Sequence, residues 1–319
     1  MQTILIIQAE SDITDEERAE IARLAPDARV VVTDDRDTIS AVLPEAGILT
    51  GHASPSLLAQ ATNLRWYQQW GAGADWLARH PELAERDFLL TNASGVHAIP
   101  ITEHIFAFLL AFARELPTAF AGQAAREWRR QGDDVFELAG KTLLLIGVGA
   151  IGRRTAHVAA AFGMRVFGVR RNAGRVVPGI ERMCSVDCLH DWLPEADFVV
   201  LTVPLTKETR HMMDETAFRR MKRSAYLVNI GRGGTVDEAA LVRALQEGWI
   251  AGAGLDVTEQ EPLPADSPLW AMPNVIITAH YSGATPEYSR RAMGIFLDNL
   301  RRFVQGEELK NVVDKRLGY

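Results

Sequence analysis

Cysteine is almost absent from this chain, with two among 319 residues. Two cannot build a disulfide framework, so small secreted scaffolds are excluded and a reducing cytoplasm is the expected compartment. Cys184, Cys188 and His190 form C-x3-C-x-H, but zinc wants four ligands in a recognised spacing and the chain has no second cluster. No metal site is expected, and the cysteines read as two free thiols. No apolar run reaches the length of a membrane span, and the N-terminus MQTILIIQAESD turns acidic after one short apolar stretch. That marks a first strand, not a signal peptide. Positive charge is not in excess either. Lys and Arg number 34 against 41 Asp and Glu, a net charge of −7, which speaks against nucleic acid or an anionic membrane as partner. Short-period repeats and low-complexity tracts are also missing.

What is present is alternation. The length allows two domains of ordinary size, and 47% hydrophobic with 24% charged residues is the composition of a globular protein. Thr3–Ala9, Val30–Val32, Ala46–Gly51, Leu64–Trp70 and Asp87–Asn92 read as strands separated by helical or loop segments. Such β-α-β order predicts an α/β fold with doubly wound parallel sheets. A long apolar helix is predicted over Ile101–Leu116, started by Pro100 and stopped by Pro117. A polar stretch, Gly122–Gly132, precedes a second alternation. Near the end, residues 283–307 read as a helix with one apolar face that returns to the first domain. The expected division is therefore 1–98 with 288–319, and 99–287.

The second alternation opens with TLLLIGVGAIG, a G-x-G-x-x-G at Gly147, Gly149 and Gly152. Alone such a match is weak, and a glycine-rich turn without a ligand is the alternative. Here it follows the apolar strand Leu143–Ile146 and opens a helical pattern, the context of a dinucleotide fingerprint. Gly147 permits the tight turn, Gly149 lets backbone approach a pyrophosphate, and Gly152 allows helix and strand to pack closely. The amides at Ala150 and Ile151 then open the helix that faces the phosphates. About twenty residues on, where an acidic residue grips the ribose of NAD, stands RVFGVRRNAG. Arg170 and Arg171 attract a 2′-phosphate through charge-assisted hydrogen bonds, with Asn172 as a helper. NADP(H) is thus expected over NAD(H), the latter still possible. The alternative is a solvated basic turn.

Three later segments carry out-of-place side chains. In YLVNIGRGGTVDEAAL, Arg232 stands between glycines after the strand Tyr226–Ile230, its planar fork suited to a carboxylate. The strand Ala251–Val257 ends in Asp256 and is followed by Glu259 and Glu261, and the strand Val275–Thr278 delivers His280. A histidine with a carboxylate partner moves protons near neutral pH; taken singly, His280 is equally a structural loop histidine.

In this order, these motifs resemble the D-isomer-specific 2-hydroxyacid dehydrogenases over nearly the whole chain. LRWYQQWGAGADWL looks like the family's substrate loop, TNASGVHAIPITEHIFAFLLAFAREL its crossing helix, and LPEADFVVLTVPLTKETRHMMDE its cofactor-domain core. NIGRGGTVDEAAL, GLDVTEQEPLP and TAHYSGAT look like its catalytic segments. The resemblance implies a flavodoxin-like substrate domain, a Rossmann cofactor domain, and reduction of a small 2-keto acid such as glyoxylate or hydroxypyruvate to the D-2-hydroxy acid. It makes Arg232 the binder of substrate carboxylate and carbonyl, and His280 the general acid/base. Glu261 becomes its partner, favouring the charged imidazole. The amides of Ala72 and Gly73 hold the substrate carboxylate, and Asp256 meets the nicotinamide carboxamide. Thr102, Val203 and Pro204 line the cofactor, with Asn229, Ile230 and Gly231 and with His280 itself. Tyr281–Ser282 departs from the Ile–Gly pair of many members, which brings Tyr281 to the substrate pocket. A homodimer joined through the cofactor domain and its long helix is implied. His104 reads as a packing or interface residue, His52 as a loop histidine or cleft wall, and Trp128 as a residue of the interface or pocket. The rival function is a dinucleotide-sensing regulator like the corepressors that resemble this family.

Overall fold

The alternating apolar runs fold into parallel sheets. The structure, a computed structural model, describes residues 2–128, 135–174 and 176–318. Two compact units emerge: Met1–Val96 with Thr285–Tyr319, and His97–Ala284.

In the first unit the strands are β1 (Thr3–Ile7), β2 (Arg29–Thr33), β3 (Ala46–Gly51), β4 (Trp66–Gln69) and β5 (Leu89–Thr91). They pair in the parallel order β2-β1-β3-β4-β5, the flavodoxin-like arrangement. AGILTG of β3 is buried at every residue, while β2 at the edge is largely open. A continuous apolar run belongs inside a parallel sheet because helices cover both faces. The C-terminal helix Tyr288–Gln305 supplies one such cover. Phe296 stacks on Trp66 at 5.5 Å, Asn299 donates to Gln68 Oε1 at 3.0 Å, and the Tyr288 hydroxyl donates to the Trp70 carbonyl at 2.6 Å.

The second unit contains β6 (Thr142–Ile146), β7 (Arg165–Val169), β8 (Arg182–Cys184), β9 (Phe198–Leu201), β10 (Tyr226–Asn229), β11 (Gly252–Leu255) and β12 (Val275–Ile277). Its parallel order is β12-β11-β10-β9-β6-β7-β8. From β6 the chain adds β7 and β8 toward one edge and then β9 to β12 toward the other, and at such a switch in strand order the carboxyl ends of the strands open a ligand crevice. The helix Ala98–Ala113 buries Ile105, Phe108 and Leu109 against this sheet. Gly254 makes that approach possible, since a Cβ there would stand 2.7 Å from the Phe108 ring.

Two expectations are corrected. The long helix spans Ala98–Ala113, and Pro117 starts a second helix, Leu116–Ala125, instead of stopping the first. Glu115, at φ 52°, turns the chain between them, and they meet at 69°. A proline in a helix's first turn forgoes only an N–H that has no partner there, so Pro117 begins a helix as readily as it follows one. Residues 122–125 of the supposed polar stretch belong to this second helix, and its residues 129–132 lie outside the described residues. The cysteines are not free thiols, for Cys184 and Cys188 are joined as a disulfide. Cys184 ends β8, and the short turn Val186–Cys188 brings the second Cα to 6.0 Å, within the normal reach of a disulfide. Among the described residues, no single helix is long and apolar enough to cross a membrane.

Phe296→Ala should cost about 3–5 kcal/mol of stability, because it removes a buried ring from a filled site. Urea unfolding followed by tryptophan fluorescence measures it, and a loss below about 1 kcal/mol would contradict the packing assigned to the C-terminal helix.

Candidate active site

The carboxyl edge of the second sheet is built by close backbone approaches. Gly147 follows β6 at φ 103°, where a Cβ would sit 2.7 Å from Thr202 Oγ1. A Cβ on Gly152 would run into the Gly147 carbonyl oxygen, so helix and strand pack as a fingerprint requires. Gly149 differs: it precedes the helix Ala150–Ala161, and a Cβ there would meet nothing within 4 Å. Space is left above the turn where the amides of Ala150 and Ile151 open the helix, a ready anion site. Thr102 is buried beside it, its hydroxyl 3.2 Å from Thr155 Oγ1. A Cβ on Gly231 would stand 2.7 Å from the Val203 carbonyl oxygen, which brings Ile230–Gly231 against Val203–Pro204. The residues present therefore fit a dinucleotide.

Arg170 and Arg171 stand just past β7. Arg170 donates its amide to the Cys184 carbonyl at 3.0 Å. The exposed Arg171 guanidinium meets Glu208 Oε2 at 2.6 Å. Asn172 Oδ1 accepts the Gly174 amide at 3.3 Å and serves the turn.

Arg232 follows β10 in extended backbone, and its guanidinium donates to the Gly231 carbonyl at 2.9 Å. The buried Asn229 braces this loop: its Nδ2 donates to the Arg232 carbonyl at 3.1 Å, and its Oδ1 accepts the Gly231 amide at 3.0 Å. Asp256, 2% exposed, directly follows the next strand, β11. A buried carboxylate must be satisfied by donors. Here they are the Thr278 hydroxyl at 2.6 Å, the Tyr281 amide at 3.0 Å and the Ser282 amide at 3.1 Å. This clamp fixes residues 278–282 and holds His280 in left-handed backbone at φ 54°. His280 Nδ1 lies 2.7 Å from Glu261 Oε2. Because a carboxylate only accepts, Nδ1 carries the proton and Nε2 is left for exchange. Of the two glutamates after Asp256, Glu259 is held instead by His211 Nε2 at 2.8 Å. Tyr281 is half exposed, its ring 5.6 Å from His104.

Ala72 and Gly73 belong to the first unit. Gln69 Nε2 donates to the Gly73 carbonyl at 2.6 Å and Asn92 Nδ2 to the Ala72 carbonyl at 2.7 Å. Among the described residues no backbone carbonyl accepts either residue's own amide. His52 stacks on Tyr288 at 6.4 Å and meets Trp70 edge-on at 6.3 Å. Trp128 is 95% exposed.

Sequence reasoning missed Thr278 and Ser282 as loop anchors and undervalued His104. His104 Nε2 lies 3.0 Å from Thr278 Oγ1. Since that hydroxyl gives its proton to Asp256, His104 must be the donor, which fixes the Nε2–H tautomer. Burial pushes the His104 imidazole below its ordinary pKa, with Asp256 at 3.9 Å working the other way. Only position offered a signal: Thr278 stands two residues before His280 at a strand end.

A glycine-cradled dinucleotide turn, with a histidine–carboxylate pair and an arginine on the same unit, defines a nicotinamide-dependent oxidoreductase. The chain belongs to the D-isomer-specific 2-hydroxyacid dehydrogenase family, whose NAD-binding-domain model matches residues 106–282. A glyoxylate reductase of Korarchaeum cryptofilum is 36% identical over 299 residues, covering 92% of this chain and 87% of the relative. A solved D-isomer-specific 2-hydroxyacid dehydrogenase family protein of Aeromonas salmonicida is 36% identical with TM-score 0.84, covering 98% of this chain and 99% of that one. An NADPH-dependent glyoxylate/hydroxypyruvate reductase of Sinorhizobium meliloti, solved with NADP and sulfate, is 28% identical with TM-score 0.83 over 100% of each chain.

His52 is also held below its ordinary pKa of 6.5 by burial, like His104. The unfolded chain therefore binds protons at a higher pH than the folded one. Their stabilising contribution is present above about pH 6.5 and is lost as pH falls below it. Urea midpoints should drop between about pH 7.5 and 5.5, and drop less in His104→Asn. A midpoint that rises on acidification, or an unchanged slope in the variant, would contradict the assignment.

Proposed function

We propose that this chain reduces small 2-keto acids, with glyoxylate and hydroxypyruvate as the reference substrates, and does so with NADPH in preference to NADH. The observation that carries the reading is the 2.7 Å His280–Glu261 pair, presented by the Asp256 clamp on the same sheet edge as the Gly147–Gly152 turn. Relatives named glyoxylate reductase support the substrate class, and the NADP bound to the Sinorhizobium meliloti relative supports the cofactor.

The cofactor, when bound, supplies a hydride to the keto carbon. The protein does the rest. His280 passes the Nε2 proton to the carbonyl oxygen and recovers it from solvent, while Glu261 holds Nδ1–H and the orientation of the ring. Arg232 binds the substrate carboxylate and meets the negative charge that grows on the oxygen, where fixed charge lowers a barrier most. The amides of Ala72 and Gly73 are assigned to the substrate carboxylate as well. Asp256 keeps the His280 loop in place and, with Thr102, Pro204 and Ile230, belongs to the nicotinamide surroundings. Arg170 and Arg171 bind the 2′-phosphate, with Asn172 shaping their turn. Charge-assisted bonds of this kind are about twice as strong as neutral ones.

Initial rates of glyoxylate and hydroxypyruvate reduction, with each cofactor, test the reading. NADPH-dependent turnover is expected, and His280→Asn should lower kcat about 10²–10⁴-fold, the scale of general acid catalysis. Turnover that favours NADH would sink the role of the arginines alone. A folded protein that binds cofactor but reduces none of a wide keto-acid panel would be a regulator on this scaffold.

A further inference from the structure

The end of β7 lacks the acidic residue that holds an NAD ribose, yet a carboxylate is present there in space. Glu208 comes from a different strand connection, the turn after β9, and its Oε2 lies 2.6 Å from the Arg171 guanidinium. In the sheet, β9 and β7 flank β6 on its two sides. The turns that follow them therefore stand on either side of the Gly147–Gly152 loop.

The Glu208 turn is built to hold its shape. The Thr206 hydroxyl accepts the amides of Glu208 and Thr209, each at 3.2 Å. The Thr209 hydroxyl donates to the Pro204 carbonyl at 2.7 Å and accepts the Thr206 amide at 2.8 Å. Backbone is fixed while the Glu208 side chain, 72% exposed, reaches outward to Arg171. An ion pair this exposed adds little to stability. It does, however, occupy a cation that the proposed function gives to a phosphate.

We infer that Glu208 is a specificity-determining residue that weakens NADPH binding and supports NADH, so that the two cofactors are less sharply separated than two arginines alone would make them. The inference rests on the role given above to Arg171. A 2′-phosphate, bearing close to two negative charges, must displace the Glu208 carboxylate from Arg171 and then lie beside it. NADH carries a 2′-hydroxyl instead. A carboxylate accepts from that hydroxyl, which is the service an acidic residue at the strand end gives NAD. Glu208 thus returns from another loop the carboxylate that RVFGVRRNAG lacks.

The test compares Glu208→Gln with Arg170→Gln/Arg171→Gln and the unmodified chain, using KM for NADPH and NADH at saturating glyoxylate. A fluorescence titration of NADPH without keto acid accompanies the kinetics. Glu208→Gln should raise the NADPH-to-NADH ratio of kcat/KM about three- to tenfold, through a lower NADPH KM and a tighter NADPH titration. Added salt should shrink the effect, since both groups are exposed. An unchanged or lowered ratio would overturn the inference. If the arginine variant loses NADPH while Glu208→Gln is silent, only this inference falls. Should the arginine variant keep its NADPH preference, the role of the arginines falls and this inference with it.

Discussion

The buried carboxylate of Asp256 is the constraint on which the site depends. A charge with almost no exposure is tolerable only if donors surround it, and the donors closest to hand are the hydroxyl and amides of the loop after β12. Satisfying Asp256 therefore dictates where residues 278–282 lie. His280 stands between the anchors, is carried into left-handed backbone, and emerges against Glu261. His104 extends the same chain of bonds through Thr278 to the helix Ala98–Ala113. One buried charge thus joins a helix, two strands and the loop that carries His280.

Glycine does the corresponding work for the cofactor. At Gly147, Gly152 and Gly231 a side chain would collide with backbone or with Thr202 and Val203, so the strand ends close on one another. Gly149 faces open space, and that is where a pyrophosphate needs room. The His280–Glu261 pair and the glycine turn lie at the same sheet edge, the carboxyl edge that opens at the switch between β6 and β9. Past β7 the Arg171 guanidinium is paired with Glu208, and the proposed balance between the two cofactors turns on that contact.

Much of this was legible in the sequence. Apolar runs such as AGILTG and TLLLI announce buried parallel strands, and the glycine spacing at 147, 149 and 152 needs only its flanking strand and helix to be read. The resemblance to 2-hydroxyacid dehydrogenases pointed to Arg232, Glu261 and His280. Three things were not legible. Pro117 is compatible with either end of a helix, and only the left-handed Glu115 decides for a start. The turn that joins Cys184 to Cys188 is a matter of geometry that a spacing of four leaves open. His104 and Glu208 act through partners 174 and 37 residues away, and no local pattern encodes such contacts.

The central claim is that His280 acts as proton donor through its bond to Glu261. The most direct measurement is kcat for glyoxylate reduction by Glu261→Gln, with its keto-acid KM, under conditions where the variant's NADPH titration matches the unmodified chain. An interaction realised in the transition state shows itself as a loss in kcat with KM little altered. The expected result is a fall in kcat of about tenfold or more, against a KM changed by less than about threefold. A folded variant with undiminished kcat would contradict the claim, because His280 would then need no partner to deliver its proton.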